Sequence, residues 1–200
     1  VGSVQFIAAM IAAQLAYPGY SDVRNAVSDL GHPLDSPLHA VFNVSLQLLG
    51  LIGLVATLLI RPAFASRSSA RGGLLLLGIA SLGAVATGTF PETSPELNGS
   101  VHALATLVTF AGAGLALVLL GIAMVRDTRW DGFRGFTALA GLASLAALVA
   151  YVAVFDTSAV AGAVERVIIA PLLLWGIIAG VHLARLPGYA PAAGRPTSEF

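Results

Sequence analysis

Six runs of nearly uninterrupted apolar residues, parted by short stretches that hold most of the charge, leave this chain few ways to fold. They lie at roughly 1–17, 38–60, 73–90, 99–125, 135–155 and 162–184. A helix needs about 20 residues to cross a hydrocarbon core, and there it must satisfy its backbone polar groups by itself. The expected fold class is therefore all-α: a polytopic membrane protein of six transmembrane helices in a bundle. Composition closes the soluble alternative. Of 200 residues, 57% are hydrophobic and 10% charged, with mean hydropathy +0.88, whereas soluble domains carry about 25% charged residues. The first run lacks a charged leader and a small-residue cleavage site, so it reads as a span and not as a signal peptide. Residues 1–185 are expected to form one transmembrane domain. Residues 186–200, with Pro187, Pro191 and Pro196 among small residues, read as a disordered cytoplasmic tail.

The chain has no cysteine, which excludes disulfides, thiolate metal sites and thiol nucleophiles. All its basic side chains other than histidine are arginine, so Schiff-base chemistry on lysine is excluded too. A formal net charge of zero argues against nucleic acid as a partner. The expected partners are membrane lipids, with a homo-oligomer left open.

Arginine placement sets an expected orientation, because positive residues are retained on the cytoplasmic side. Arg61, Arg67, Arg71, Arg126, Arg129, Arg134, Arg185 and Arg195 fall on one side with only Asp127, Asp131 and Glu199. Arg24 and Arg166 fall on the other, among seven acids. The arginine-rich side is expected to be cytoplasmic, with both termini inside, in a multi-pass protein of the cell membrane. Loops 18–37, 91–98 and 156–161 then face out.

The three outward hairpins can be aligned. Tyr17-Pro18 leads to His39, Phe90-Pro91 to His102, and Phe155-Asp156 to Glu165, with 63 residues between successive members of the set. A threefold hairpin repeat is one explanation, and it would place His39, His102 and Glu165 at similar depth.

Polar groups inside a bilayer are costly unless they face a partner or a wet cavity, so their positions carry information. His39, Asn43 and Gln47 share one face of the second helix; His102, Thr106 and Thr109 share one of the fourth; Thr137, Gly141, Ser144 and Tyr151 mark the fifth. For the threonines and serines, hydrogen bonding between helices is the simpler reading. The histidines are candidates for function. Loop 18–37 is long for a helix connection and is expected to be structured. Within it Asn25, Ser28, Asp29 and His32 would be presented together by a short helical turn. Two chemistries follow. Asp29, His32, His39 and His102 are candidate ligands for a divalent metal such as zinc, which accepts imidazole and carboxylate donors. Ser28 with Asp29 and His102 is a candidate nucleophilic set. Arg166, one of two outward cations, is a candidate holder of an anionic lipid headgroup.

Tyr20-Ser21, Asn25-Ala-Val-Ser-Asp-Leu-Gly31, Phe42-Asn43, Gly88-Thr-Phe-Pro-Glu92, His102 and Val164-Glu165-Arg166 before Trp175 together resemble one family. This is the integral membrane family catalogued as domain of unknown function 998, and the resemblance covers all six apolar runs. It implies a small bacterial or archaeal multi-span protein, names no reaction, and raises interest in Asn25, Ser28, Asp29, Asn43, Glu92, His102, Glu165 and Arg166. A looser likeness is to ceramidase-like membrane hydrolases, from which the chain departs in having six spans, not seven, and no paired histidines on its last helix.

The leading expectation is a lipid- or isoprenoid-handling enzyme, a hydrolase or transferase with an outward polar site of Ser28, Asp29 and His102. Asn25, Asn43, Glu92, Glu165 and Arg166 would hold the substrate. The alternative is a transporter or sensor with an acidic outer vestibule. It needs polar residues that continue inward, yet below Gln47 and Thr109 the stripes turn apolar. A haem held between His39 and His102 is the third reading.

Overall fold

The structure, a computed structural model, describes residues 1–64, 67–92, 98–154 and 159–186, apart from the side chains of Asn98 and Val154. Six α-helices account for most of it: α1 (Gly2–Ala16), α2 (His39–Ile60), α3 (Ser68–Thr89), α4 (Asn98–Met124), α5 (Phe133–Val154) and α6 (Ala161–Arg185). There is no strand among the described residues. Helices α2 to α6 are long and apolar enough to cross a membrane. Helix α1 is apolar but has 15 residues, so at about 1.5 Å per residue it is shorter than a hydrocarbon core is thick.

The apolar runs set where helices form, and flanking residues extend them. Helix α3 begins at Ser68, five residues before its apolar run, because Ser68, Ser69 and Arg71 are compatible with helix while remaining polar. The expected tail falls, from Pro187 onward, outside the described residues.

Consecutive helices pack on one another, most closely α3 on α4, and α1 returns to touch α6. Small residues permit the close packing: the buried side of α3 carries Ala70, Gly73, Ala80, Ser81, Gly83, Ala84, Thr87 and Gly88. The opposite sides of the helices are apolar and exposed, as Val44, Leu48, Leu51, Val55 and Leu58 of α2 illustrate. That inversion of a soluble protein's surface fits hydrocarbon as the surrounding solvent.

The two ends of the molecule differ. At the arginine-rich end, Ile60, Leu74, Leu117, Leu120, Met124, Trp130, Phe133 and Leu183 form a hydrophobic cluster, beside which Leu54, Leu58, Arg61 and Arg71 line an open groove between α2 and α3. His182 stacks between Trp130 and Phe133 there, with ring centroids 5.2 and 5.0 Å away, and its Nε2 lies 3.0 Å from the Arg129 carbonyl oxygen. At the other end, loop 18–37 folds over the helices, and beneath it the packing opens into a cavity.

Candidate functional site

The cavity has a volume of about 200 Å³ and is walled by α1, α2, α3, α4 and α6, with Val27 and Ser28 of the loop above. Helix α5 contributes none of its lining, so the Thr137–Ser144 stripe serves packing. Ser144 Oγ donates to the Ile168 carbonyl of α6 at 2.8 Å, and Thr137 Oγ1 receives the Trp175 indole N–H at 3.1 Å. That second bond fixes Trp175 in the wall at the deeper part of the cavity.

Most of the lining is apolar: Phe6, Leu46, Leu77, Phe110, Leu172 and Leu173 are representative. The polar side chains are few, among them Ser28, Asn43, Thr87, His102, Thr106 and Glu165. His102 and Glu165 each stand at the fifth position of their helices, α4 and α6, which puts them at a common register. His39 does not share it. It is the first residue of α2, four positions nearer the helix start, or about 6 Å at 1.5 Å per residue, and it does not line the cavity.

Glu165 is 3% exposed. A carboxylate so buried must be hydrogen-bonded, and the loop supplies the donors. The Val27 backbone N–H donates to Glu165 Oε2 at 2.6 Å, and the Ser28 amide bonds to the same carboxylate. Both amides lie at the start of the 3-10 turn Ser28–Gly31, so Glu165 caps that turn from another part of the chain. The turn is held from below as well, where Asn43 Nδ2 donates to the Gly31 carbonyl at 2.9 Å. Glycine at 31 leaves room for this amide, because a Cβ there would crowd Asn43 Oδ1.

Arg166 anchors the rest of the loop. Its Nη1 donates to the Asp22 carbonyl at 2.8 Å and the Gly162 carbonyl at 2.9 Å, and its Nη2 to Tyr20 Oη at 2.8 Å and Asp22 Oδ1 at 2.9 Å. Both terminal nitrogens are thus committed to the protein, and Arg166 does not line the cavity. The expected headgroup clamp is instead a structural clamp. Tyr20 Oη passes the network on to the Ala26 carbonyl at 2.9 Å. Burial, which outweighs the help Arg166 gives the ionised form, pushes the Tyr20 phenol up to about 12.

His102 is 8% exposed, and its Nδ1 lies 2.9 Å from the Phe90 carbonyl oxygen. A carbonyl can only accept, so Nδ1 carries the hydrogen, and in the neutral ring Nε2 presents a lone pair. Nε2 is buried and has no hydrogen-bond partner among the described residues. One turn further along α4, Thr106 Oγ1 is buried and equally without a partner among them. Both side chains line the cavity.

The expected reactive set comes together only in part. Ser28 and His102 face the same cavity, but Asp29 does not line it: its carboxylate accepts from Asn25 Nδ2 at 3.1 Å. The backbone carbonyl of Phe90, in place of an acid, orients His102. Asn25 in turn accepts from the Ser21 amide at 3.0 Å, so it shapes the loop. Glu92 is exposed and lies outside the lining.

The expected metal ligands disperse. His32 Nδ1 sits 2.8 Å from the Asp35 carboxylate, His39 Nδ1 is 2.9 Å from the Ser36 carbonyl, and Asp29 is held by Asn25. Among the described residues no three His, Asp or Glu side chains converge as a metal site would require. Of the two histidines aligned by sequence, His102 lines the cavity and His39 does not.

A helical membrane protein with a half-open apolar chamber under a hydrogen-bonded loop is the class these features define. The chain belongs to the family described as protein of unknown function (DUF998), which matches residues 1–182. No curated protein and no solved structure shows a significant match to it.

Proposed function

We propose that this is a lipid- or isoprenoid-handling protein of the cell membrane, which takes one hydrocarbon chain into the cavity and holds its polar end beside His102. The carrying observation is a cavity with apolar walls and a small polar group near its loop end, which is the arrangement ligand sites take. Its volume of about 200 Å³ compares with the ~150 Å³ that hold a benzene ring in an engineered apolar cavity. One chain segment fits, and the two acyl chains of a phospholipid do not. In this reading the six helices all cross the bilayer, loop 18–37 lies outside and both termini are cytoplasmic. A substrate enters from the outer leaflet. Leu74, Leu117, Leu120 and Met124, toward the arginine-rich end, are apolar, which favours handling a lipid over conducting a solute. If the protein is an enzyme, His102 Nε2 is the proton acceptor and Ser28 the hydroxyl that shares its chamber.

The test is photolabelling of the reconstituted protein with an alkyl chain bearing a diazirine. Adducts are expected on Leu46, Leu77, Phe110 and Leu173, and should be lost when Ala113→Phe fills the chamber. Adducts confined to lipid-facing residues such as Leu58 and Val149 would end the proposal.

A further inference from the structure

We infer that the polar end of the ligand is a hydroxyl, bound between His102 Nε2 and Thr106 Oγ1. The inference rests on the lipid-handling reading and specifies its ligand. Its grounds are two of the four buried polar atoms that have no hydrogen-bond partner among the described residues, the two that share one face of α4 and one cavity. Residues i and i+4 of a helix are neighbours, so a single oxygen can reach both. The two sites are also complementary. His102 Nε2 accepts, because Nδ1–H is spent on Phe90. Thr106 can donate its hydroxyl hydrogen. A ligand O–H gives its hydrogen to Nε2 and takes one from Thr106, so both buried atoms are satisfied by one group.

Other polar ends fit worse. A carboxylate or phosphate would meet a lone pair at Nε2 and the Glu165 side chain, and no arginine lines the cavity among the described residues. An ammonium would find the Glu165 carboxylate already bonded to the Val27 and Ser28 amides, and it brings three donors and a charge into walls that are mainly apolar. A plain hydrocarbon leaves Nε2 and Oγ1 as they are, buried and unpaired, which is the costly state.

The experiment uses the photolabelling above with four competitors at equal membrane mole fraction: octan-1-ol, octane, octanoate and octylamine. Octan-1-ol should suppress the cavity adducts at about one tenth of the mole fraction that octane needs, since one net hydrogen bond is worth about a factor of ten. Thr106→Val keeps the shape and removes the hydroxyl. His102→Asn keeps a donor for the Phe90 carbonyl and removes Nε2. Each should bring octan-1-ol toward octane's level, and the two together down to it, while adducts still form. Equal competition by all four compounds, or strongest competition by octanoate or octylamine, overturns the hydroxyl assignment and leaves the cavity reading standing. If adducts never form in the cavity, both fall together.

Discussion

Gly162 and Gly180 stand on the same helix, yet a methyl group should have opposite consequences at the two. A Cβ at Gly162 would collide with the Asn25 backbone carbonyl, whereas one at Gly180 meets nothing within 4 Å. Gly162→Ala must therefore push loop 18–37 off the start of α6, and overpacking of this kind costs about 1–3 kcal/mol. Gly180→Ala should be neutral or stabilising by about 0.5–1 kcal/mol through helix propensity. Melting followed by the fluorescence of Trp130 and Trp175 in detergent will separate them; equal effects would mean that the loop does not rest on Gly162. Tyr20 supplies a pH signature for the same contact. Its phenol is raised to about 12 from an ordinary value of 10.0, so between those values the unfolded chain loses a proton that the folded chain keeps. Stability from this group is full below pH 10 and declines as pH rises toward 12. Tyr20→Phe should flatten that decline in alkaline melts, and an unchanged slope would show that Tyr20 is not the group responsible. Arg166 shows what a sequence hides at this scale. One of two outward cations, it looks free until its acceptors appear, and its contacts to Asp22 come from 144 residues away.

The loop, helix ends and helix faces obey different rules, and only the last are read easily from sequence. Apolar runs marked all six helices, five of which are long and apolar enough to cross a membrane. The short turn at Ser28–Gly31 was also foreseeable from its small polar residues and glycine, but its capping acid was not, since Glu165 donates nothing to the local pattern. Trp175, fixed by Thr137, and the orphaned pair His102 and Thr106 depend on which helices touch, and no spacing within one helix reveals that. At the opposite end, arginines cap helix C-termini: Arg67 donates to the Ala123 carbonyl at 2.9 Å and Arg129 to the Ala63 carbonyl at 3.0 Å. The loop should respond as a unit when its lower support is removed. Asn43→Ala leaves the Gly31 carbonyl without its donor, so hydrogen exchange is expected to quicken across residues 26–36 while α3 exchanges as before. Acceleration spread evenly over all helices would instead make Asn43 a general packing residue.

At the scale of the molecule, the remaining question is which end faces the cytoplasm, and the charge on the two ends speaks to it. Arg61, Arg67, Arg126 and Arg129 lie in the connections between α2 and α3 and between α4 and α5, and Arg71 and Arg134 in the first turns of α3 and α5. Three of them, Arg67, Arg129 and Arg134, bond backbone carbonyls at that end, so local folding alone can account for their presence. Arg61 and Arg71 are exposed, however, and flank α2 and α3, where short positive loops are retained during insertion. The absence of cysteine makes a direct measurement simple. Val23 is 49% exposed in the loop after α1, and Ser68 is exposed at the start of α3, so α2 alone separates the two sites. Single cysteines at these positions should behave oppositely toward an impermeant maleimide. Val23→Cys is expected to react on intact cells, and Ser68→Cys only after the membrane is opened. The reverse pattern would turn the molecule over and send the cavity's ligand in from the inner leaflet. Reaction of both on intact cells would mean that α2 does not cross, and the chamber it walls would then open to water.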